Sequence, residues 1–370
     1  MSKNSSNTVK EPLIHFTKRD DITGIKSVLV HGIGLLAGLI VCAVFIMLVT
    51  GLSPIEVYVK MFQGTFGGDV TRLKALHHTA ILLAISLAVT PAFKMKFWNI
   101  GAEGQVLIGA LAAAFCMLEY GNTLEEPVLL LVMFLTSMLA GIIWAVIPAI
   151  FKALWNTNET LFTLMMNYVA TTLVGYFIMV KDRSGRSDLG ILNERTGYGY
   201  LPKLFGQDYY LNISIVIFIT ILVFIYLKYS KQGYEISVVG ESQNTAKYIG
   251  INVKKVIIRT IAISGAICGI TGLLLVAGSP TPSINESIVG GQGFTAILVS
   301  WMAKFNPIIM IFVSALVVFL GDGGASATDA LKIDSSVGEV LTAIIIFFII
   351  GCEFFIRYKV NFRKRQKGDK

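Results

Sequence analysis

Long apolar runs without charged residues constrain this chain more than any other feature. The sequence has 370 residues, of which 54% are hydrophobic and 15% charged. Because a bilayer core of about 30 Å needs about 20 apolar residues per helix, each long uncharged window predicts a membrane span. About ten spans are predicted: 29–51, 75–93, 100–118, 127–150, 160–180, 211–228, 257–278, 288–303, 305–321 and 337–356. The expected fold class is an all-α membrane protein.

Basic residues predict how the chain is oriented. Ten spans place both termini on one side, and if that side is the cytoplasm, 22 of the 31 Lys and Arg residues lie inside. Because cytoplasmic loops carry an excess of Lys and Arg, both termini are predicted to be cytoplasmic. The outer loop 181–210 opposes this orientation, since it holds five basic residues. The net charge of +8 indicates contact with anionic membrane lipid, not with nucleic acid.

The polar intervals are too short for a soluble catalytic domain. We divide the chain into an N-terminal cytoplasmic segment (1–27), a transmembrane domain (28–357) and a basic cytoplasmic tail (358–370). The transmembrane domain contains the outer loop and a cytoplasmic loop at 229–256. The four cysteines lack C-x-x-C spacing, and the sequence has no phosphate-binding loop or catalytic constellation. Neither a metal, nor a bound cofactor, nor a membrane enzyme is therefore predicted.

Two short Gly-interrupted strings point to a substrate path. Ten spans divide into two halves of five, and an odd number per half would invert one half relative to the other. The third span of each half opens with a similar string, Ala102–Gln105 and Gly290–Gly293. Interrupted spans of this kind mark transporter binding sites. Glu103 is a candidate path residue, because ionisable groups within spans are costly; the alternative is a helix cap favoured by the helix dipole.

A polar stripe follows the span 160–180. Its residues Thr160, Thr163, Asn167 and Thr171 recur at steps of three and four and so share one helix face. Such a stripe either bonds to another helix or lines a water-filled path, and both interpretations remain open. The candidate translocation-path residues are Asn99, Glu103, Gln105, Asn158, Glu159, Thr163, Asn167, Gln292 and Phe294.

The cytoplasmic loop is predicted to contain a short helix. Ser242 is the expected N-cap, and Gly250 is expected just after the helix end. Such an exposed helix suits insertion into a groove of a soluble partner; the alternative is a solvated loop with an interfacial helix. An exposed apolar knob is predicted from Ala246, Ile249 and Ile251.

These motifs resemble the ten-helix ABC permeases of the branched-chain amino acid, ribose and nucleoside type, and most of all the larger permease of nucleoside uptake systems. The resemblance rests on Phe97–Gln105, Asn158–Ala170 and Gly233–Gly250, and with the span spacing it covers about 28–357. The chain departs from the family pattern at Asn244–Ala246, where Glu-Ala-Ala is usual. A second departure lies in the stretch from Trp301 to Phe305, before Pro307.

The resemblance implies a permease subunit of an ATP-driven importer that moves nucleosides across a bacterial plasma membrane. It also implies a second permease subunit forming a heterodimer, two ATP-binding subunits that use the ATP, and an extracellular substrate-binding lipoprotein. Alternatives are a simple-sugar permease and an ion-coupled secondary transporter in which Glu103 would be the coupling group. The residues implied to form the ATPase-coupling loop are Gly233, Glu235, Gly240, Ala246, Lys247, Tyr248 and Gly250.

Overall fold

The computed structural model describes residues 14–18, 24–182 and 185–362. Much of the predicted N-terminal segment and residues 363–370 of the predicted tail lie outside the described residues. The helices are α1 (Gly24–Thr50), α2 (Pro54–Phe66), α3 (Asp69–Lys94), α4 (Ala102–Tyr120), α5 (Glu126–Trp155), α6 (Glu159–Lys181), α7 (Tyr210–Tyr229), α8 (Lys231–Glu241), α9 (Gln243–Tyr248), α10 (Val253–Ala277), α11 (Gln292–Met302), α12 (Pro307–Leu331) and α13 (Ser335–Arg357). The strands are β1 (Ile14–Lys18) and β2 (Tyr358–Phe362).

Nine of the predicted spans coincide with long apolar helices. Among the described residues, α1, α3 to α7, α10, α12 and α13 are long and apolar enough to cross a bilayer. The predicted span 288–303 differs, because its helix α11 has only 11 residues. At 1.5 Å per residue, α11 is about 16 Å long, roughly half a bilayer core. Gly290 and Gly291 precede α11 with φ of +62° and +74°. These left-handed conformations do not occur within a regular α-helix, so α11 cannot extend further towards its N-terminus.

The described residues divide into two compact units, the first made of 14–18, 24–64 and 320–362, and the second of 65–182 and 185–319. In the first unit, α1 packs along α13. The Cys42 thiol in α1 donates to the Leu341 carbonyl of α13 at 3.6 Å. The amphipathic helix α2, which hydropathy alone did not predict, is joined to α1 by the Tyr58 hydroxyl, which donates to the Leu39 carbonyl at 2.6 Å.

The ends of the chain form a two-stranded antiparallel ribbon that the all-α prediction did not include. Ile14 lies opposite Phe362, and Lys18 lies opposite Tyr358. Both segments alternate apolar and polar residues, which is the period of a β-strand. Strand β2 follows α13 directly, and the five residues between β1 and α1 are too few to cross a bilayer. The ribbon therefore joins the segment that precedes α1 to the segment that follows α13.

Glycines hold the second unit together around α10, which packs against α3, α4 and α5. A Cβ at Gly109 in α4 would lie 2.6 Å from the Cα of Gly269 in α10. A Cβ at Gly269 would lie 3.1 Å from the Cα of Met138 in α5. Such close backbone approach is a characteristic way in which helices associate in membranes, where the hydrophobic effect contributes little between helices.

Candidate functional site: two helix N-termini that meet

Helices α4 and α11 both begin in the interior of the second unit, away from the ends of its long helices. Just before α4, the Asn99 amide lies 3.4 Å from the Ser264 hydroxyl, near the middle of α10. Helix α4 then passes Gly272, further along α10. Helix α11 runs towards the C-terminal end of α3, where the Ser300 and Thr90 hydroxyls bond at 2.9 Å. Helix α8 packs at that end of α3 and also pairs with Arg259 near the start of α10, so this end of α3 lies near the start of α10. Helix α4 runs towards the end of α10 and α11 runs towards its start. The two helices therefore run in opposite directions from adjoining N-termini.

Glu103 joins these two N-termini. Its Oε1 accepts a hydrogen bond from the Gly291 backbone N–H at 2.8 Å, and its Oε2 accepts one from the Gly293 N–H at 2.7 Å. A Cβ at Gly293 would lie only 2.5 Å from the Glu103 backbone nitrogen, so only glycine permits this approach. The two strings that the sequence singled out are thus in direct contact. The Glu103 carboxylate thus caps the N-terminus of α11, and its place in a substrate path stays a prediction.

Asn99 and Gln105 form a buried amide pair beside this contact. The Gln105 Nε2 donates to the Asn99 Oδ1 at 3.2 Å, and the Gly101 N–H donates to the same oxygen at 3.1 Å. Asn99 is fully buried and Gln105 is 1% exposed. Because satisfied buried polar networks rigidify their surroundings, this pair fixes the turn from which α4 starts.

The polar stripe of α6 holds the same turn from the other side. The Asn167 Oδ1 accepts from the Gly104 N–H at 2.9 Å, and the Asn167 Nδ2 donates to the Ile100 carbonyl at 3.0 Å. The Thr163 hydroxyl oxygen accepts from the Ile100 N–H at 3.2 Å. Of the two interpretations left open for the stripe, bonding to a neighbouring segment is observed for Thr163 and Asn167.

Asn158 and Glu159 anchor the start of α6. The Asn158 Oδ1 accepts from the Leu161 N–H at 3.1 Å, as an N-cap does. The Glu159 carboxylate forms a 2.8 Å ion pair with Lys152 of α5. These bonds stay at the start of α6 and between α5 and α6, and neither reaches the contact that Glu103 makes.

The remaining candidates, Gln292 and Phe294, lie in the first turn of α11. Phe294 is 45% exposed. The Gln292 Oε1 is buried and has no hydrogen-bond partner among the described residues. A buried acceptor without a partner is costly, so this oxygen is the unsatisfied group of the site.

The short helix predicted in the cytoplasmic loop is α9, and its ends are as predicted. The Ser242 Oγ accepts from the Thr245 N–H at 3.2 Å. Gly250 has φ of +83° and its N–H donates to the Lys247 carbonyl at 3.0 Å, while the Ile251 N–H donates to the Ala246 carbonyl at 2.9 Å. This pair of bonds is the Schellman motif, which satisfies carbonyls at a helix end.

The predicted apolar knob on α9 was wrong in its composition. Ala246 is fully buried, because its side of the short helix packs against α8 and α10. Tyr248 and Ile249 are instead 92% and 56% exposed, and Lys247 is also exposed. The large side chains exposed at the end of α9 are therefore Lys247, Tyr248 and Ile249.

Helix α8, which precedes α9, was not predicted as a separate element. Arg259 of α10 forms a 2.9 Å ion pair with Glu235 of α8. A Cβ at Gly240 would lie 3.3 Å from the Cα of Met95, just after α3, and one at Gly233 would lie 2.5 Å from the Tyr226 carbonyl of α7. Three spans thus position α8. Arg259 was missed, although a charge within a predicted span is itself a signal of function.

Long apolar helices, together with the short helix α11 whose N-terminus meets that of α4, are typical of a polytopic membrane protein of the transporter class. Residues 72–350 match the family described as "Branched-chain amino acid transport system / permease component". This match covers more than half of the chain, and the chain belongs to that family.

Curated relatives narrow the class further. The guanosine ABC transporter permease protein NupP of Bacillus subtilis is 27% identical over 343 residues, covering 91% of this chain and 95% of its own. The nucleoside permease NupB of Lactococcus lactis subsp. cremoris is 27% identical over 363 residues, covering 93% and 98%. The glucose permease TsgB13 of Haloferax volcanii is 26% identical over 329 residues, covering 86% of each chain. The chain is thus an ABC importer permease of the sugar or nucleoside type, a multi-pass transport subunit and not an enzyme.

Proposed function

We propose that the chain moves nucleosides across the plasma membrane as the larger permease of an ATP-driven importer. The observation that carries this proposal is the match of nucleoside and guanosine permeases over more than 90% of the chain. A simple sugar is the second candidate substrate, because the glucose permease aligns over 86% of the chain. An ion-coupled mechanism receives no support from these relatives, all of which are described as ABC permeases.

The topology we propose has ten crossings and both termini in the cytoplasm. The terminal ribbon supports an even number of crossings, since it brings the start of α1 and the end of α13 to one side. The nine full-length helices among the described residues would alone give an odd number. The tenth crossing is then made by the irregular segment 278–291 together with α11. The domain limits predicted from the sequence, and the inverted relation of the two halves, are part of this proposal.

Coupling to ATP hydrolysis is proposed to run through α8 and α9. Tyr248 and Ile249 project from α9 and would enter a groove of the ATPase subunit, which binds and hydrolyses the ATP. Glu235 and Arg259 tie α8 to α10, the central helix of its unit, so that movement of α9 would reach the spans. Gly233 and Gly240 allow the close packing that this transmission needs.

The translocation path is proposed to pass the meeting point of α4 and α11. Glu103, Gln292 and Phe294 would line or gate it. Four other predicted residues hold the turn before α4 in position, namely Asn99, Gln105, Thr163 and Asn167, whereas Asn158 and Glu159 would act at the start of α6. In this account the spans rock between outward-open and inward-open states around the site.

The proposed assembly contains a second permease subunit, two ATP-binding subunits and an extracellular substrate-binding lipoprotein. The family resemblance supports each of these partners. A permease that receives its solute from a binding protein needs no tight site of its own, which fits the few unpaired polar groups around Glu103.

Uptake of labelled uridine, guanosine and ribose tests the proposal. Cells with and without this chain are compared, after ATP depletion and after collapse of the proton gradient. We expect nucleoside uptake that needs the chain and ATP and survives loss of the gradient. Uptake confined to ribose would replace the nucleoside by a sugar, and uptake that follows the gradient would overturn the ATP-driven mechanism.

A further inference from the structure

The N-terminus of α11 has the geometry of an anion site. The positive end of a helix dipole and its free backbone N–H groups attract anions, and transporters with interrupted spans bind the carboxylate of their substrates in this way. Here the N–H groups of Gly291 and Gly293 both donate to one carboxylate, whereas those of Gln292 and Phe294 donate to backbone carbonyls. That carboxylate belongs to Glu103 of the chain itself.

The position of Glu103 in the fold holds its carboxylate at the N-terminus of α11. It stands in the first turn of α4, so its charge is also stabilised by the N-terminus of its own helix. The glycine at position 293 lets the two backbones touch, which places both carboxylate oxygens within 2.8 Å of their donors. A substrate phosphate or carboxylate would have to displace this tethered group.

We propose that Glu103 is a built-in anion that fills the anion site at the α11 N-terminus, bridges the N-termini of α4 and α11, and leaves the path to uncharged solutes. The adjacent Gln292 Oε1 fits the same conclusion, because a buried unpaired acceptor is matched by a hydroxyl or amino donor and repels an anion. The selectivity for uncharged solutes rests on the function proposed above. The occupancy of the site by Glu103 does not.

Rescue by formate tests the occupancy in the purified complex. The melting temperatures of wild type, E103A and E103S are measured in sodium formate, formamide and sodium chloride at equal concentration. Truncation should lower the melting temperature by about 2–4 °C, and formate should recover part of the loss with a saturable dependence. Formamide should not, since it has the same shape without the charge. E103S is a second, polar truncation in case E103A does not fold.

Two matched controls complete the experiment. Wild type should not respond to formate, because its site is filled. E119A, at the opposite end of α4, removes a carboxylate that pairs with Lys181 and should show no formate rescue. A formate response in each truncation that folds, with none in wild type or E119A, supports the proposal. No response in either, or an equal response to formamide or in E119A, overturns it, and neither result depends on which solute the importer carries.

Discussion

Arg259 lies in α10 and binds Glu235 of α8 at 2.9 Å, with side-chain exposures of only 24% and 17%. This ion pair connects the helix next to the proposed ATPase contact with the helix around which the second unit packs. Since the other buried residues of α8 are glycines and the apolar Ile236 and Val239, the pair is a directional polar link between the two helices.

Loss of either charge of this pair should impair transport more than folding. E235Q or R259Q leaves one half-buried charge without its partner, which costs about 1–3 kcal/mol, between the values for exposed and fully buried pairs. We expect uptake to fall while the complex still assembles. The exchanged pair E235R/R259E should recover part of the uptake, as a double-mutant cycle would show. Equal uptake in all variants would contradict a role in transmission.

Tyr248 should be a main contact of the ATPase. An aromatic side chain that is 92% exposed costs nothing in folding when truncated, but aromatic anchors dominate interfaces. Y248A should reduce the amount of copurified ATPase subunit about tenfold and leave the melting temperature of the chain unchanged. F205A serves as control, because Phe205 is 87% exposed in the loop predicted on the opposite face. Loss of ATPase in both variants would exclude a specific role for Tyr248.

Asn167 should stabilise the turn before α4. N167A removes an acceptor and a donor and leaves the Gly104 N–H and the Ile100 carbonyl unpaired, at a cost of about 1–3 kcal/mol. The melting temperature of the purified chain measures this. T172A, in the same helix, removes only an exposed hydroxyl that bonds to its own helix and should be nearly neutral. Equal effects of the two substitutions would show that the turn does not depend on Asn167.

Cysteine labelling tests the proposed orientation. In a C352S background, the remaining native cysteines are buried. A membrane-impermeant maleimide added to intact cells should label F205C, and it should label Y248C only after permeabilisation. Labelling of Y248C in intact cells would place the coupling helix outside and refute the assignment of both termini to the cytoplasm.

The spans could be predicted from the sequence, whereas the elements that lie between them could not. Burial in lipid demands long apolar helices, so nine predicted spans match observed ones. Helix α11 is short because the left-handed conformations of Gly290 and Gly291 prevent it from starting earlier. A search for apolar windows does not detect where a helix starts. The amphipathic α2 and the terminal ribbon carry too little apolar sequence for a span search.

The candidate site could be predicted by position but not by role. Gly-interrupted strings identified Glu103 and Gly293, yet the pairing of their segments depends on contacts 190 residues apart. The burial of Ala246 was missed for the same reason, because only tertiary packing decides which side of a two-turn helix faces solvent. Arg259 was overlooked because it lies within the predicted apolar span 257–278, although a charge inside a span is itself a signal of function.

Reconstitution tests the central claim most directly. The chain is purified with its second permease and ATPase subunits, placed in proteoliposomes with the ATPase side outward, and supplied with ATP and labelled guanosine preloaded inside with the binding protein. The account predicts export of guanosine into the ATP-containing medium that stops without ATP and persists when ion gradients are collapsed. Guanosine movement that is independent of ATP and follows an imposed ion gradient would contradict it.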